Sequence, residues 1–217
     1  MDAQSTTGVR SRWPVVTAAV AFAAVIIAAS PALQALLVYD RPAILRGEIW
    51  RLFTGHWVHF STKHLLYDVG VFVIAGWMIE SRGQKNFGWL CLLSPWLIGL
   101  SLLIFAPNLI TFGGLSGIGT AAVIYWALNG LIRERRWRCI CAIVLCASAG
   151  KIVYEFACVG FVFMDFGDSR ITSVPLNHLM GAVAAGLVHF FTSAKARASA
   201  GRDQASSAAF SPANPMT

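Results

Sequence analysis

The sequence predicts an all-α, polytopic membrane protein built as a six-helix transmembrane bundle. Three observations carry this prediction. Hydrophobic residues make up 57% of the 217 and charged residues only 12%, about half the charged share of ordinary soluble domains. Apolar runs recur at lengths that suit a bilayer core, which takes about 20 helical residues to cross. The basic residues gather between those runs rather than inside them. At this length six spans joined by short loops use the chain up, and no separate soluble domain is expected.

Residues 1–12 are polar, end in Arg10 and Arg12, and read as a cytoplasmic lead-in. From 13 to 39 there is no charged residue, enough for one tilted span. A basic flank before an apolar run also suits a signal peptide. The run is long for that role and no soluble domain follows it, so a retained first helix is expected. Residues 40–63 form the longest loop; its tryptophans and mixed charges fit a segment lying at the membrane interface. The second span covers 64–80, the third 87–106 and the fourth 116–132, which Arg133-Glu134-Arg135-Arg136-Trp137-Arg138 closes. The fifth runs 139–163 with Lys151 and Glu155 inside it, and the sixth 174–192. The spanning domain is thus 13–194. Residues 195–217, rich in Ser, Ala and Pro, read as a disordered cytoplasmic tail.

Eleven of the seventeen Lys and Arg fall in the lead-in, after spans two and four, and in the tail. The positive-inside rule then places both termini in the cytoplasm. The net charge of +7 is therefore read as orientation, with the lipid bilayer and its anionic headgroups as partner and no nucleic acid. Cys91, Cys139, Cys141, Cys146 and Cys158 all lie in apolar segments without zinc-like spacing and read as small packing residues.

Within this scaffold Gly113-Gly114-Leu115-Ser116-Gly117 opens the fourth span. Ser116 would sit at a helix N-terminus, whose partial positive charge favours a developing oxyanion. His178, about one turn into the sixth span, enters from the same outer side and offers a base. His59, His64 and Asp68 fall at similar depth, with His64 and Asp68 at i, i+4 on one helix face. Polar residues in spans usually face a cavity or a partner, and this set suits acyl transfer. Each piece has a plainer reading: Ser116 as a packing serine, His178 as a histidine bonded to a carbonyl, Lys151 and Glu155 as a structural ion pair. His56 and His189 read as interfacial or packing residues. A metal site from His59, His64, Asp68 and His178 is the weakest alternative; no metal and no cofactor are expected.

Taken together, Trp50-Arg51-x-x-Thr54, His59-x-x-x-x-His64-x-x-x-Asp68, Gly114-Leu115-Ser116-Gly117 and His178-x-x-Gly181 resemble the rhomboid intramembrane serine proteases over roughly residues 45–190. Residues 46–56 and Gly150-Lys151-Ile152-Val153-Tyr154-Glu155 make the chain most similar to a rhombosortase. The resemblance implies an integral protein of a bacterial inner membrane with its site towards the outer face. Ser116 would be the nucleophile and His178 the base, in a dyad with no acid behind the histidine. His64, Asp68 and the Ser116 backbone N–H would form the oxyanion site, supported by His59 and Gly114, with Trp50 and Arg51 as scaffold. The small residues from Gly181 to Gly186 would let the sixth helix close on the fourth. Substrates would be membrane-anchored exported proteins ending in a Gly-Gly-type motif, a hydrophobic helix and a basic end.

Two positions depart from the family pattern. Asp68 stands where many rhomboids have asparagine, and an ionised carboxylate accepts hydrogen bonds but cannot donate to an oxyanion. Asp68 is either protonated or an acceptor for His64; the second is favoured. Thr120 stands where a tyrosine often packs on the histidine. Two other classes fit the pattern less well. An inactive rhomboid-like binder of membrane segments would usually lack the serine or histidine, and both are here. A transporter or channel would want repeats or a charged path across the membrane, and neither is visible.

Overall fold

Helices form where the apolar runs continue, and several begin behind a Ser or Asp whose side chain caps the first turn: Ser30, Asp40 and Ser61. The computed structural model describes residues 13–84, 86–133, 135–158 and 174–209. The lead-in at 1–12 and the loop preceding the sixth span lie outside the described residues. Helix α1 spans Val15–Ala28 and α2 spans Pro31–Leu37. The two are bent by 112°, so the one straight helix expected over 13–39 is corrected to two helices joined by a sharp bend. The cause is local. Pro31 has no N–H to continue the ladder and holds Ser30 extended. Ser30 then caps α2 through Leu33 N at 3.4 Å, and Gln34 Nε2 donates to Ala28 O at 2.9 Å across the break.

Strand β1 (Tyr39–Asp40) pairs antiparallel with β2 (Thr111–Phe112), Tyr39 facing Phe112. Between them lie α3 (Arg41–Leu45), α4 (Arg51–Thr54), a 3-10 turn (Gly55–Trp57), α5 (Thr62–Glu80) and α6 (Phe87–Phe105). After β2 come α7 (Ser116–Arg133), a second 3-10 turn (Arg135–Trp137), α8 (Arg138–Cys158) and α9 (Pro175–Ala209). Helix thus continues through Ala209, well into the stretch read as a disordered tail.

Helix α7 sits at the centre, touching α5, α6, α8 and α9. Its Ile118, Ala121 and Ala122, with Leu115 just before it, are fully enclosed with Phe72, Ile98 and Ala185. Small residues set the approach: a Cβ at Gly181 of α9 would overlap the Gly117 carbonyl oxygen of α7. The outward faces stay apolar, with Trp77, Trp89, Ile104, Phe190 and Phe191 all largely exposed, as a lipid-facing surface requires. Of the five cysteines, Cys91 and Cys141 are buried while Cys139, Cys146 and Cys158 are exposed, so the packing role holds for two.

By length and composition two helical stretches, Phe87–Phe105 and Arg135–Cys158, are long and apolar enough to cross a membrane, and up to three if the bent pair is one span. Ser116–Ile132 is apolar but shorter. The remaining long helices carry polar residues: α5 holds Lys63, His64, Asp68 and Glu80, and the second half of α9 turns polar.

The first loop is docked rather than laid flat. Buried Arg51 donates from Nη1 to Ala35 O and Val38 O, both at 2.9 Å, and from Nε to Glu48 at 2.7 Å. Thr54 Oγ1 donates to Leu37 O at 2.8 Å. Arg51 thus ties α4 to the end of α2, while Trp50 is exposed. At the other end, Glu80 accepts from Val16 N at 3.1 Å and Thr17 N at 2.8 Å. That carboxylate satisfies the free N–H groups at the start of α1.

Candidate active site

Ser116 is the first residue of α7 and is partly exposed. The first ladder bond runs from Gly119 N to Leu115 O at 2.8 Å, so the Ser116 N–H lies in the turn whose amides have no acceptor within the helix. The turn that delivers it needs glycine twice. Gly114 has φ +133°, a conformation side chains rarely adopt, and a Cβ there would lie 2.8 Å from His64 Nε2 and 3.1 Å from Asp68 Oδ2. A Cβ at Gly113 would come within 2.6 Å of Val58 O.

On one side of this turn stands the start of α5. Ser61 caps the helix, accepting from His64 N at 3.2 Å, which puts His64 in the first turn and Asp68 one turn on. Both are buried. Asp68 Oδ2 lies 3.2 Å from His64 Nε2 and 3.4 Å from His59 Nε2. These are loose ion-pair distances rather than short hydrogen bonds. His59 is tied elsewhere: its Nδ1 meets Trp57 O at 3.2 Å, and Leu115 N donates to its Nε2 at 3.4 Å. The ring thereby braces the backbone one residue before Ser116.

On the other side stands the start of α9. Asn177, buried at 2% exposure, donates from Nδ2 to Ser116 Oγ at 2.9 Å. Gly117 makes room for it, since a Cβ there would overlap Asn177 Oδ1. The next residue, His178, is buried and meets Glu155 Oε2 of α8 through Nδ1 at 2.6 Å. Lys151 Nζ donates to Glu155 Oε1 at 2.7 Å and lies 3.0 Å from His178 Nδ1. The expected dyad with no acid behind the histidine is corrected here: a carboxylate does stand behind His178. The Lys151–Glu155 ion pair exists as expected, but it is part of the histidine's surroundings rather than apart from them.

The fold thus brings His59, His64, Asp68, Gly114, Ser116 and His178 to one end of the bundle. Two residues were missed by sequence reasoning. Asn177 had a signal, as a polar residue inside an apolar segment next to the chosen histidine. Glu155 had been noticed but not connected, because its distance from His178 is closed by α8 and α9 coming side by side, which no local spacing encodes. Elsewhere His56, fully enclosed, meets Pro95 O through Nε2 at 3.1 Å and packs on Phe112. Burial pushes its pKa down to about 4, so it is a neutral packing residue.

Ser116 thus stands at a helix N-terminus with Asn177 on its hydroxyl, and the next residue of α9 is an imidazole whose Nδ1 meets a carboxylate. The chain matches the family model described as a rhomboid domain over residues 46–195. Among curated proteins it is similar to the rhomboid protease GlpG of Salmonella newport (strain SL254), Salmonella enteritidis PT4 and Salmonella typhi. Each is 32% identical over 95 residues, covering 43% of this chain and 34% of the relative. The match spans about a third of the length of these curated relatives.

Proposed function

The chain belongs to the rhomboid family, a family of integral membrane proteins, and on that premise we propose that it is an intramembrane serine endopeptidase. Ser116 attacks the scissile carbonyl, His178 takes the hydroxyl proton and returns it to the leaving amine, and water resolves the acyl-enzyme. The oxyanion is met by the Ser116 N–H together with groups from His64 and the turn at Gly114. The observation that carries this reading is the contact at the start of α9, where Asn177 holds the Ser116 hydroxyl at 2.9 Å and the adjacent residue supplies the imidazole. In this reading six helices cross a bacterial inner membrane, both termini are cytoplasmic, and the site opens towards the outer face. Helix α5 is admitted because His64 and Asp68 are buried within the bundle, while Lys63 lies at the start of the helix and Glu80 at its end, where it caps α1.

The substrate class proposed is exported proteins anchored by a C-terminal hydrophobic helix with a Gly-Gly-type motif before it and basic residues after it. The stretches at 46–56 and 150–155 support that choice. So does the physics of cutting near a helix, since paired amides must be unwound and glycine unwinds readily. The test is cleavage of a co-expressed reporter with that tail, compared among wild type, Ser116→Ala and His178→Ala at matched membrane levels. Cleavage by wild type alone is expected. Cleavage confined to a generic transmembrane substrate would keep the protease and discard the sorting-type substrate, and cleavage surviving Ser116→Ala would discard the nucleophile.

A further inference from the structure

We propose that Glu155 is the positioning residue of a Ser116–His178–Glu155 triad, with Lys151 holding the Glu155 carboxylate in place. The assignment deepens the proposed function and rests on Ser116 and His178 acting as nucleophile and base.

Three features of the geometry support it. The contact is made at the correct end of the ring. A histidine that accepts a proton from serine through Nε2 must carry its own hydrogen on Nδ1, and Nδ1 is the atom 2.6 Å from Glu155 Oε2. A donor there, charge-assisted by the carboxylate, fixes both the tautomer and the ring direction and stabilises the imidazolium that forms. Glu155 is also enclosed, at 1% exposure, so water does not compete for it. Finally, the two carboxylate oxygens are divided: Oε2 faces His178 while Lys151 Nζ donates to Oε1 at 2.7 Å.

Lys151 gives the arrangement a second edge. Its Nζ is 3.0 Å from His178 Nδ1, and an ammonium donating to that nitrogen would force the hydrogen onto Nε2, the tautomer unable to act as base. With Glu155 present, both donors converge on its oxygens. Without the charge of Glu155, Lys151 is, among the described residues, the group left at Nδ1 to set the tautomer, and it sets the wrong one. A glutamine at 155 keeps the shape but loses the charge, and replacing the orienting carboxylate of a serine triad by an amide costs about 10⁴-fold in turnover.

The test reads the serine directly. A fluorophosphonate probe reacts as Ser116 Oγ bonds to phosphorus, fluoride leaves, and His178 takes the hydroxyl proton. Labelling rates are measured on the full-length protein in detergent, alongside kcat and KM on the reporter, with thermal unfolding to establish folding. Glu155→Gln is expected to slow labelling and kcat by at least about 100-fold, with KM little changed. Glu155→Asp is expected to recover part of the loss. The double variant Lys151→Met with Glu155→Gln removes both charges of the Lys151–Glu155 pair together. It is expected to fold and to remain slow. Wild-type labelling in folded Glu155→Gln, or recovery to wild-type rate in the double variant, would overturn the assignment and return Glu155 to an ion pair. Absence of Ser116-dependent labelling in wild type would instead overturn the nucleophile, and the triad with it.

Discussion

Two imidazole–carboxylate pairs flank Ser116, and they are built in opposite ways. His64 and Asp68 lie one turn apart on α5, at 3.2 Å, and the ring meets the carboxylate through Nε2, its tip. His178 and Glu155 come from α9 and α8, at 2.6 Å, and the ring meets the carboxylate through Nδ1, its base. The difference sorts their chemistry. A carboxylate held tightly at Nδ1 leaves Nε2 free to exchange a proton with a neighbour. One held loosely at Nε2 occupies the ring's reaching end, so His64 can donate to an oxyanion from Nε2 only by turning from Asp68, a step that the longer contact makes cheap. Of the same two residue types, one pair suits a fixed base and the other an adjustable donor.

The comparison breaks most directly at the histidines. His178→Ala is expected to abolish reporter cleavage, whereas His64→Ala is expected to lose about 10²–10³ in kcat, since the Ser116 N–H still meets the oxyanion. Equal, complete loss in both would erase the distinction between base and donor. Next in size are the glycines that place each pair. Gly181→Leu pushes α9 from α7, and Gly114→Ala intrudes on His64 and Asp68 while straining a positive φ. A displacement of about 1 Å costs about 100-fold, so each should lose on that order at normal membrane levels; full activity in either would sink the close-approach account.

A gentler probe is Asp68→Asn. An amide can donate to the oxyanion as well as accept, so cleavage should stay within about tenfold of wild type while the pH profile changes shape. Superimposable profiles would mean that Asp68 neither titrates over that range nor shifts the titration of His64, against the role of an ionised acceptor for that ring. The smallest effect concerns His56, a buried imidazole whose partner is a carbonyl. Its pKa is about 4 when folded against about 6.5 unfolded. Stability from the neutral ring is therefore complete above about pH 6.5 and lost progressively as pH falls towards 4. Thermal unfolding at pH 7.5 and 4.5 should show a smaller acid-induced drop in His56→Gln than in wild type, and identical drops would refute the buried neutral histidine.

These two pairs also mark how far the sequence was legible. The α5 pair could be read from spacing alone, because i, i+4 residues share a helix face whatever the helix packs against. The glycine turn before Ser116, the small face of α9 and the first-loop arginine were legible for similar reasons: backbone freedom, side-chain size and a charge amid apolar residues are properties of the residue itself. The bend between α1 and α2 should have been legible too, since Ser30-Pro31 is a local stop signal. It was overridden by the absence of charge, which measures apolarity and not continuity.

By itself, then, the sequence determined the apolar helical class, the places where helices begin, and the residue types gathered near Ser116, because each depends on interactions within a few residues. The tertiary structure decided which helix faces meet. It put Asn177 on the serine, His59 on the backbone of Leu115, and Glu155 behind His178. Those contacts join residues 23 to 61 positions apart, and they follow from how α5, α7, α8 and α9 pack around one another, a collective outcome of side-chain volume that no single stretch of the chain contains.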